Sequence, residues 1–162
     1  APRPDAVGPT RWRCASRRRP SAAALLYIDI DGLEAVAEGQ GHDRAAALVR
    51  AVGERLNRRL RRTDGVARLA GGSFVALVDG MKLASDADLV ARKLAAPVSR
   101  WRPGAPGTGE PACQLSIGVA VGERAEVAFA ELLGRAEAAM HEARRQGGRR
   151  CARATASNRA AA

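Results

Sequence analysis

The chain has 162 residues, enough for one domain with a real core plus tails. Its 27 Lys and Arg against 17 Asp and Glu give a formal net charge of +10, but the excess sits at the ends. Residues 1–22 carry six Arg and one Asp, residues 148–162 carry four Arg and no acid, and the stretch between is almost neutral, so a nucleic-acid-binding body is not expected.

Only Lys82 and Lys93 are lysines, so the basicity is arginine, set in an alanine-rich background that weakens any inference from a single guanidinium. A tail such as RWRCASRRRP (Arg11–Pro20) can touch phosphates or acidic lipid, but a solvated linker beside another domain is the plainer explanation. Cys14, Cys113 and Cys151 are far apart, with no CxxC, which excludes a zinc site and suits a reduced, cytoplasmic chain. No apolar run approaches the roughly 18–20 residues of a membrane span, and no signal peptide is visible. Beginning at Ala1 without a methionine, the chain reads as an excised or processed piece of a longer protein.

In chain order, residues 1–22 are rich in Pro, Arg and Ala without periodicity and read as a disordered basic leader. AALLYIDI (Ala23–Ile30) is a continuous apolar run ending in acid, a buried strand. From Asp43 to Arg61, Leu48, Val52, Leu56 and Leu60 recur every four residues, with Ala45 and Val49 beside them, which predicts an amphipathic helix N-capped by Asp43. VARLA and SFVALV flank Gly71–Gly72 as a hairpin. A helix over Asp86–Ala96, a Pro/Gly loop over Arg100–Pro111 and a strand over Cys113–Val121 follow. A last helix carries Phe129, Leu132, Leu133, Ala136, Met140 and Ala143. Gly147–Gly148 stops it, with a short strand around Arg150–Ala152. The order β-α-β-β-α-β-α-β predicts an α+β fold over 23–153, with a tail over 154–162.

Taken together, LLYIDIDGLEAVAEGQGHD, VARLAGGSF, LSIGVAVG and LLGRAEAAMHEAR resemble the GGDEF domain of diguanylate cyclases, over about Ala23 to Arg150. The resemblance implies a nucleotide-cyclase palm-like fold, a central, mostly antiparallel sheet flanked by helices. In that family a homodimer joins two GTP molecules into cyclic di-GMP, using divalent metal held by carboxylates.

Against that pattern the hairpin is emptied. Arg68 and Phe74 keep the family's separation, but the signature reads Ala70, Gly71, Gly72, Ser73, Phe74, so the metal-binding acid falls at Gly72 and the following glutamate at Ser73. Asp29, the first aspartate of the DxD word, survives as a vestigial metal ligand. The phosphate-binding lysine falls at Glu34, the guanine-binding asparagine and aspartate at Ala37 and Ala46, and the arginine of the last helix at Gly148, while Arg144 matches its lysine. Alanine cannot hydrogen-bond guanine. The expectation is therefore no catalytic residue, no resident metal, and magnesium only alongside residual GTP binding.

RRTD (Arg61–Asp64) matches the family's RxxD inhibitory site, where cyclic di-GMP binds. An arginine fork can bond guanine O6 and N7, and a carboxylate can accept from its N–H groups. Arg92 is the ungapped match for a third, completing arginine; a one-residue gap would make it Lys93. An ordinary charged helix end explains the same residues, because Arg58, Arg59, Arg61 and Arg62 crowd a helix C-terminus and Asp64 can cap the turn.

The sequence thus predicts a catalytically inactive GGDEF-type domain of bacterial signalling that binds cyclic di-GMP through Arg61, Asp64 and Arg92 and passes occupancy to an unidentified protein partner. A homodimer is among the assemblies the family implies. The alternatives are a ligand-free interaction scaffold, a residual cyclase or GTP binder using Asp29, and nucleic-acid binding by the tails alone. His42 and His141 are expected to be structural and surface residues, and Cys113 a core residue.

Overall fold

A computed structural model of the chain describes residues 22–101, 113–123 and 129–154. The leader before Ala22, most of the predicted Pro/Gly loop and the tail after Ala154 lie outside the described residues. The elements are β1 (Ala22–Ile30), α1 (Leu33–Gln40), α2 (His42–Arg59), β2 (Gly65–Arg68), a 3₁₀ turn (Ala70–Gly72), β3 (Phe74–Met81), α3 (Ser85–Ser99), β4 (Leu115–Glu123), α4 (Phe129–Arg145) and β5 (Cys151–Arg153). The strands form one sheet in the order β2-β3-β1-β4-β5. β1 runs antiparallel to β3 and β4, β2 antiparallel to β3, and only β4–β5 is parallel. The mostly antiparallel α+β sheet is as expected.

β1 is central and apolar on both faces, which is why it reads as a continuous run rather than an alternating one. Ala24, Leu26, Ile28 and Ile30 point into a core with Val49, Val52 and Leu56 of α2 and Ala91, Leu94 and Val98 of α3. Leu25, on the other face, packs with Val75, Ala120, Leu132 and Ala136 under α4. By the same alternation Asp29 emerges on the α4 side. Gly118 lets that helix lie close to the sheet, since a Cβ there would sit 1.8 Å from the Ala136 carbonyl oxygen.

Three expectations needed correction. Residues 33–40 form a helix, α1, that the periodicity did not show; none of its residues is buried, so no apolar stripe marks it. α2 begins at His42 after Gly41, with no side-chain cap, so Asp43 lies inside the first turn, where it complements the helix dipole, and is not the N-cap. α3 continues through Pro97 to Ser99, beyond Ala96. Cys113 is buried as expected, and His141 is a surface residue beside Glu137 at 3.9 Å.

Candidate functional site

The end of β1, the 3₁₀ turn and the end of α4 meet around Asp29. The turn is closed by the Leu69 N–H, which donates to the Ser73 carbonyl at 2.8 Å. It needs Gly71 and Gly72, whose φ values are 72° and 85°. This positions the Ser73 hydroxyl to donate to Asp29 Oδ1 at 2.8 Å. From α4, Arg144 Nη1 lies 2.9 Å from Asp29 Oδ2. Asp29 is only 8 % exposed, and Ser73 is buried with it. Both carboxylate oxygens therefore have partners supplied by the chain.

The second aspartate of the DxD word, Asp31, is engaged in the same way. Ser116 Oγ donates to Oδ1 at 2.7 Å, and the Arg149 backbone N–H donates to Oδ2 at 3.0 Å. Gly148 packs on this carboxylate, with φ 66° and a would-be Cβ 3.1 Å from Oδ2. Arg149 itself has φ 58°, the one positive value at a non-glycine residue among those described. Neither this network nor Arg149 was foreseen; the signal available was a GG pair followed by a bulky residue, which does not by itself disclose a left-handed backbone.

A divalent cation does not fit these donors. Asp29 is paired with a guanidinium and a hydroxyl, Asp31 holds the loop after α4, and Gly72 and Ser73 of the signature bring no carboxylate. Among the described residues no group of three or more His, Cys, Asp or Glu side chains could hold a metal.

Beside this network lies a cleft of about 730 Å³, bounded by the start of α1, the first turns of α2, Cys113–Gln114 and the loop after α4. Its lining includes Ala35, Val36, Leu48, Cys113, Arg144 and Arg149. Glu34, Ala37 and Ala46, the positions matched to phosphate and guanine contacts, do not line it. Burial pushes the Cys113 thiol up to about 11, with the Asp31 charge adding to the rise and Arg55 opposing it. The thiol is thus a neutral, apolar wall at physiological pH. Arg55 is stacked 3.6 Å above the Trp101 ring centroid, and the Cys113 N–H donates to the Trp101 carbonyl at 3.1 Å.

At the far end of α2, the Asp64 N–H donates to the Arg61 carbonyl at 3.0 Å, and the Arg61 N–H donates to Asp64 Oδ2 at 3.0 Å. The capping role expected of Asp64 is therefore real. Its Oδ1 is buried without a hydrogen-bond partner, while Arg61 is exposed. Arg92 does not join them within one chain. One turn before it, Asp88 pairs with Arg153 of β5 at 2.9 Å, and Arg92 itself stands near enough to Cys151 of β5 to oppose the rise that burial gives that thiol. β5 and β2 are opposite edges of the sheet. Lys93 is turned about 100° round α3 from Arg92, away from that flank.

The chain matches the family described as "Diguanylate cyclase, GGDEF domain" over residues 9–150, and it belongs to that family, whose members occur in cyclic di-GMP signalling proteins. It is 36% identical over 124 residues to the bifunctional diguanylate cyclase/cyclic di-GMP phosphodiesterase MucR of Pseudomonas aeruginosa, a match covering 76% of this chain and 18% of that protein. It spans less than a fifth of the length of the curated relatives it matches. Its fold is similar to the GGDEF domain of PA1120 (YfiN or TpbB) from Pseudomonas aeruginosa, with a TM-score of 0.74–0.75 in two structures; the crystal structure at TM-score 0.75 is 27% identical and covers 85% of this chain and 84% of that one. It is also similar, at TM-score 0.66 and 25% identity over 82% of this chain and 76% of the other, to a microbial GGDEF domain described in an interaction with cyclic di-GMP. No helix among the described residues is long and apolar enough to cross a membrane.

Proposed function

We propose that this domain does not make cyclic di-GMP but binds it, as a receptor built on the cyclase fold. The observation that carries this is the engagement of both Asp29 oxygens, by Ser73 at 2.8 Å and Arg144 at 2.9 Å. A cyclase needs carboxylates that hold metal against a triphosphate. Here the surviving carboxylate already has an internal cation, and its signature partners are Gly72 and Ser73.

Binding is assigned to Arg61 and Asp64. The turn holds the two together through backbone bonds, leaves the Arg61 guanidinium at the surface, and keeps Asp64 Oδ1 without a partner. A guanine edge would meet the exposed arginine fork, and Asp64, whose Oδ1 is buried, would accept from it only on turning outward. The relation to a GGDEF domain described with cyclic di-GMP supports this choice of ligand. Since Arg92 faces β5, the completing cation comes from Lys93 or from a second molecule.

The test is calorimetric titration with cyclic di-GMP of the wild type, Arg61→Ala and Asp64→Asn. Saturable binding that weakens roughly tenfold or more in Arg61→Ala is expected from losing a charge-assisted fork. Equal binding by all three proteins would remove Arg61 and Asp64 from the site. No binding by the wild type would favour a scaffold without ligand, for which Leu83 and Leu89, 63% and 46% exposed around the start of α3, are the large exposed apolar side chains among the described residues.

A further inference from the structure

The two large apolar side chains left exposed among the described residues, Leu83 and Leu89, belong to one end of α3. Leu83 stands in a turn that is held from both sides. The Asp86 carboxylate accepts from the Lys82 and Leu83 N–H groups at 3.2 and 3.0 Å, and the Asp86 N–H donates to the Leu83 carbonyl at 3.0 Å. From β5, Arg153 Nη2 donates to the Ala84 carbonyl at 2.5 Å and pairs with Asp88 at 2.9 Å. The turn thus fixes a leucine in water, a cost that the bonds around it maintain.

Leu89 begins an outer stripe on the helix itself. At about 100° per residue, Leu89, Lys93, Ala96 and Arg100 fall within about 60° of arc, opposite the buried Ala87, Ala91, Leu94 and Val98. All four of the stripe are exposed, as are Arg92 beside them and Lys82 before the helix. Lys82, Arg92, Lys93 and Arg100 make no ion pair among the described residues. The acids at this end are already engaged, Asp86 by the turn and Asp88 by Arg153. One face therefore presents two leucines among cations, with no acid left to oppose an anion.

We infer that this face of α3 docks on an anionic lipid surface, with Leu83 and Leu89 entering the boundary between headgroups and acyl chains and the four cations held at the headgroups. Leucine set among Lys and Arg on an exposed helix face is the pattern that lies in a membrane interface, and long basic side chains can rest their stems on the apolar layer while their charges stay in water. A protein partner suits the face less well. The 15-residue helix offers a convex strip of roughly 22 by 10 Å, well short of the about 800 Å² per partner of a stable protein interface. A lipid surface gains from each cation without a matching shape, and the chain's net charge of +10 acts in the same direction. This docking goes beyond the cyclic di-GMP reading and does not depend on it.

The experiment is flotation of the full chain with vesicles of phosphatidylcholine and phosphatidylglycerol in equal parts. Vesicles of phosphatidylcholine alone and titration with polyglutamate are the comparators. It is made on the wild type, on Leu83→Ser with Leu89→Ser, on Lys82→Gln with Arg100→Gln, and on Arg17→Ala with Arg18→Ala and Arg19→Ala in the leader. Leu83, Leu89, Lys82 and Arg100 are exposed, so thermal unfolding should be unchanged by replacing them. The expected result is flotation with the anionic vesicles and not with the neutral ones. Binding should weaken roughly tenfold or more without the two leucines, and by about fivefold for each cation removed. The leader variant should still float. No flotation by the wild type, equal flotation with neutral vesicles, or indifference to the leucine variant would each overturn the inference. Loss in the leader variant alone would give the binding to the leader, and binding of polyglutamate without flotation would give the face to an acidic polypeptide; either would overturn it too. Cyclic di-GMP should bind the leucine variant as it binds the wild type, since Arg61, Asp64 and Lys93 are untouched, so the two readings fail separately.

Discussion

Asp29 is a carboxylate at 8% exposure, where an uncompensated charge would cost several kcal/mol. Its two partners remove that cost, and each can be taken away in turn. Ser73→Ala should lower unfolding free energy by about 1.5–3 kcal/mol, the range for a hydrogen bond to a charged group, measured by urea denaturation. Gly72→Asp, which returns an acid to the signature, meets a different obstacle. A Cβ at Gly72 would lie 2.3 Å from Leu33 Cδ2, on a backbone with φ 85°. That substitution should cost about 2 kcal/mol and yield no GTP turnover; a stable variant that turns over GTP would contradict the account of the turn. The signature positions 70–74 were legible because Arg68 and Phe74 frame them in the sequence. The pairing of Asp29 with Arg144 was not, because it joins residues 115 apart in sequence through the packing of α4 on β1.

Cys113 adds a pH dependence. Its folded-state value, raised from 9.0 to about 11 mainly by burial, means that the native state favours the protonated thiol. That contribution is complete below the unfolded value and is lost as pH rises through the folded one, a decline of about 2–3 kcal/mol at most. Cys151 is raised in the same sense. Urea midpoints should therefore fall between about pH 8 and pH 11, and Cys113→Ala should fall less. Equal slopes for the two proteins would show that the thiol titrates normally.

At the level of elements, long apolar segments were readable and short surface ones were not. β1, α2 and α4 carry unbroken or four-spaced apolar residues that end in the core. α1 rests on α2 without burying any residue fully, so its sequence, LEAVAEGQ, has no stripe to read. Asp43 looked like a cap because it is an acid before a periodic run, yet the chain reverses at Gly41, with φ 92°, and starts the helix at once. α4 depends on Gly118 in β4, where a Cβ would also come within 2.3 Å of the Met140 backbone nitrogen. Backbone cannot move aside as a side-chain tip can, so Gly118→Ala should destabilise by about 3 kcal/mol. A change below about 0.5 kcal/mol in denaturant unfolding would mean that α4 is not seated as described.

For the molecule as a whole, α2 separates two groups of polar residues. At one end is the cleft with Asp29, Asp31, Arg144 and Arg149, and at the other the Arg61–Asp64 turn. Sequence spacing put Arg61 and Asp64 together because they are neighbours on one turn. It did not show that Arg92 lies on the β5 flank within one chain, because distance along a helix does not tell which flank faces which strand. The net charge of +10 is not what distinguishes these places, since much of it belongs to residues before Ala22 and near the C-terminus. The engagement of Asp29 has the larger consequence, because on the proposed reading internal bonds take the place of a metal-dependent centre. The measurement that tests this most directly is incubation of the purified chain with GTP and magnesium, followed by chromatography for pyrophosphate and cyclic di-GMP. No product above the buffer control is predicted. Product that accumulates with magnesium and vanishes in Asp29→Ala would contradict it, and would restore Asp29 as a working metal ligand.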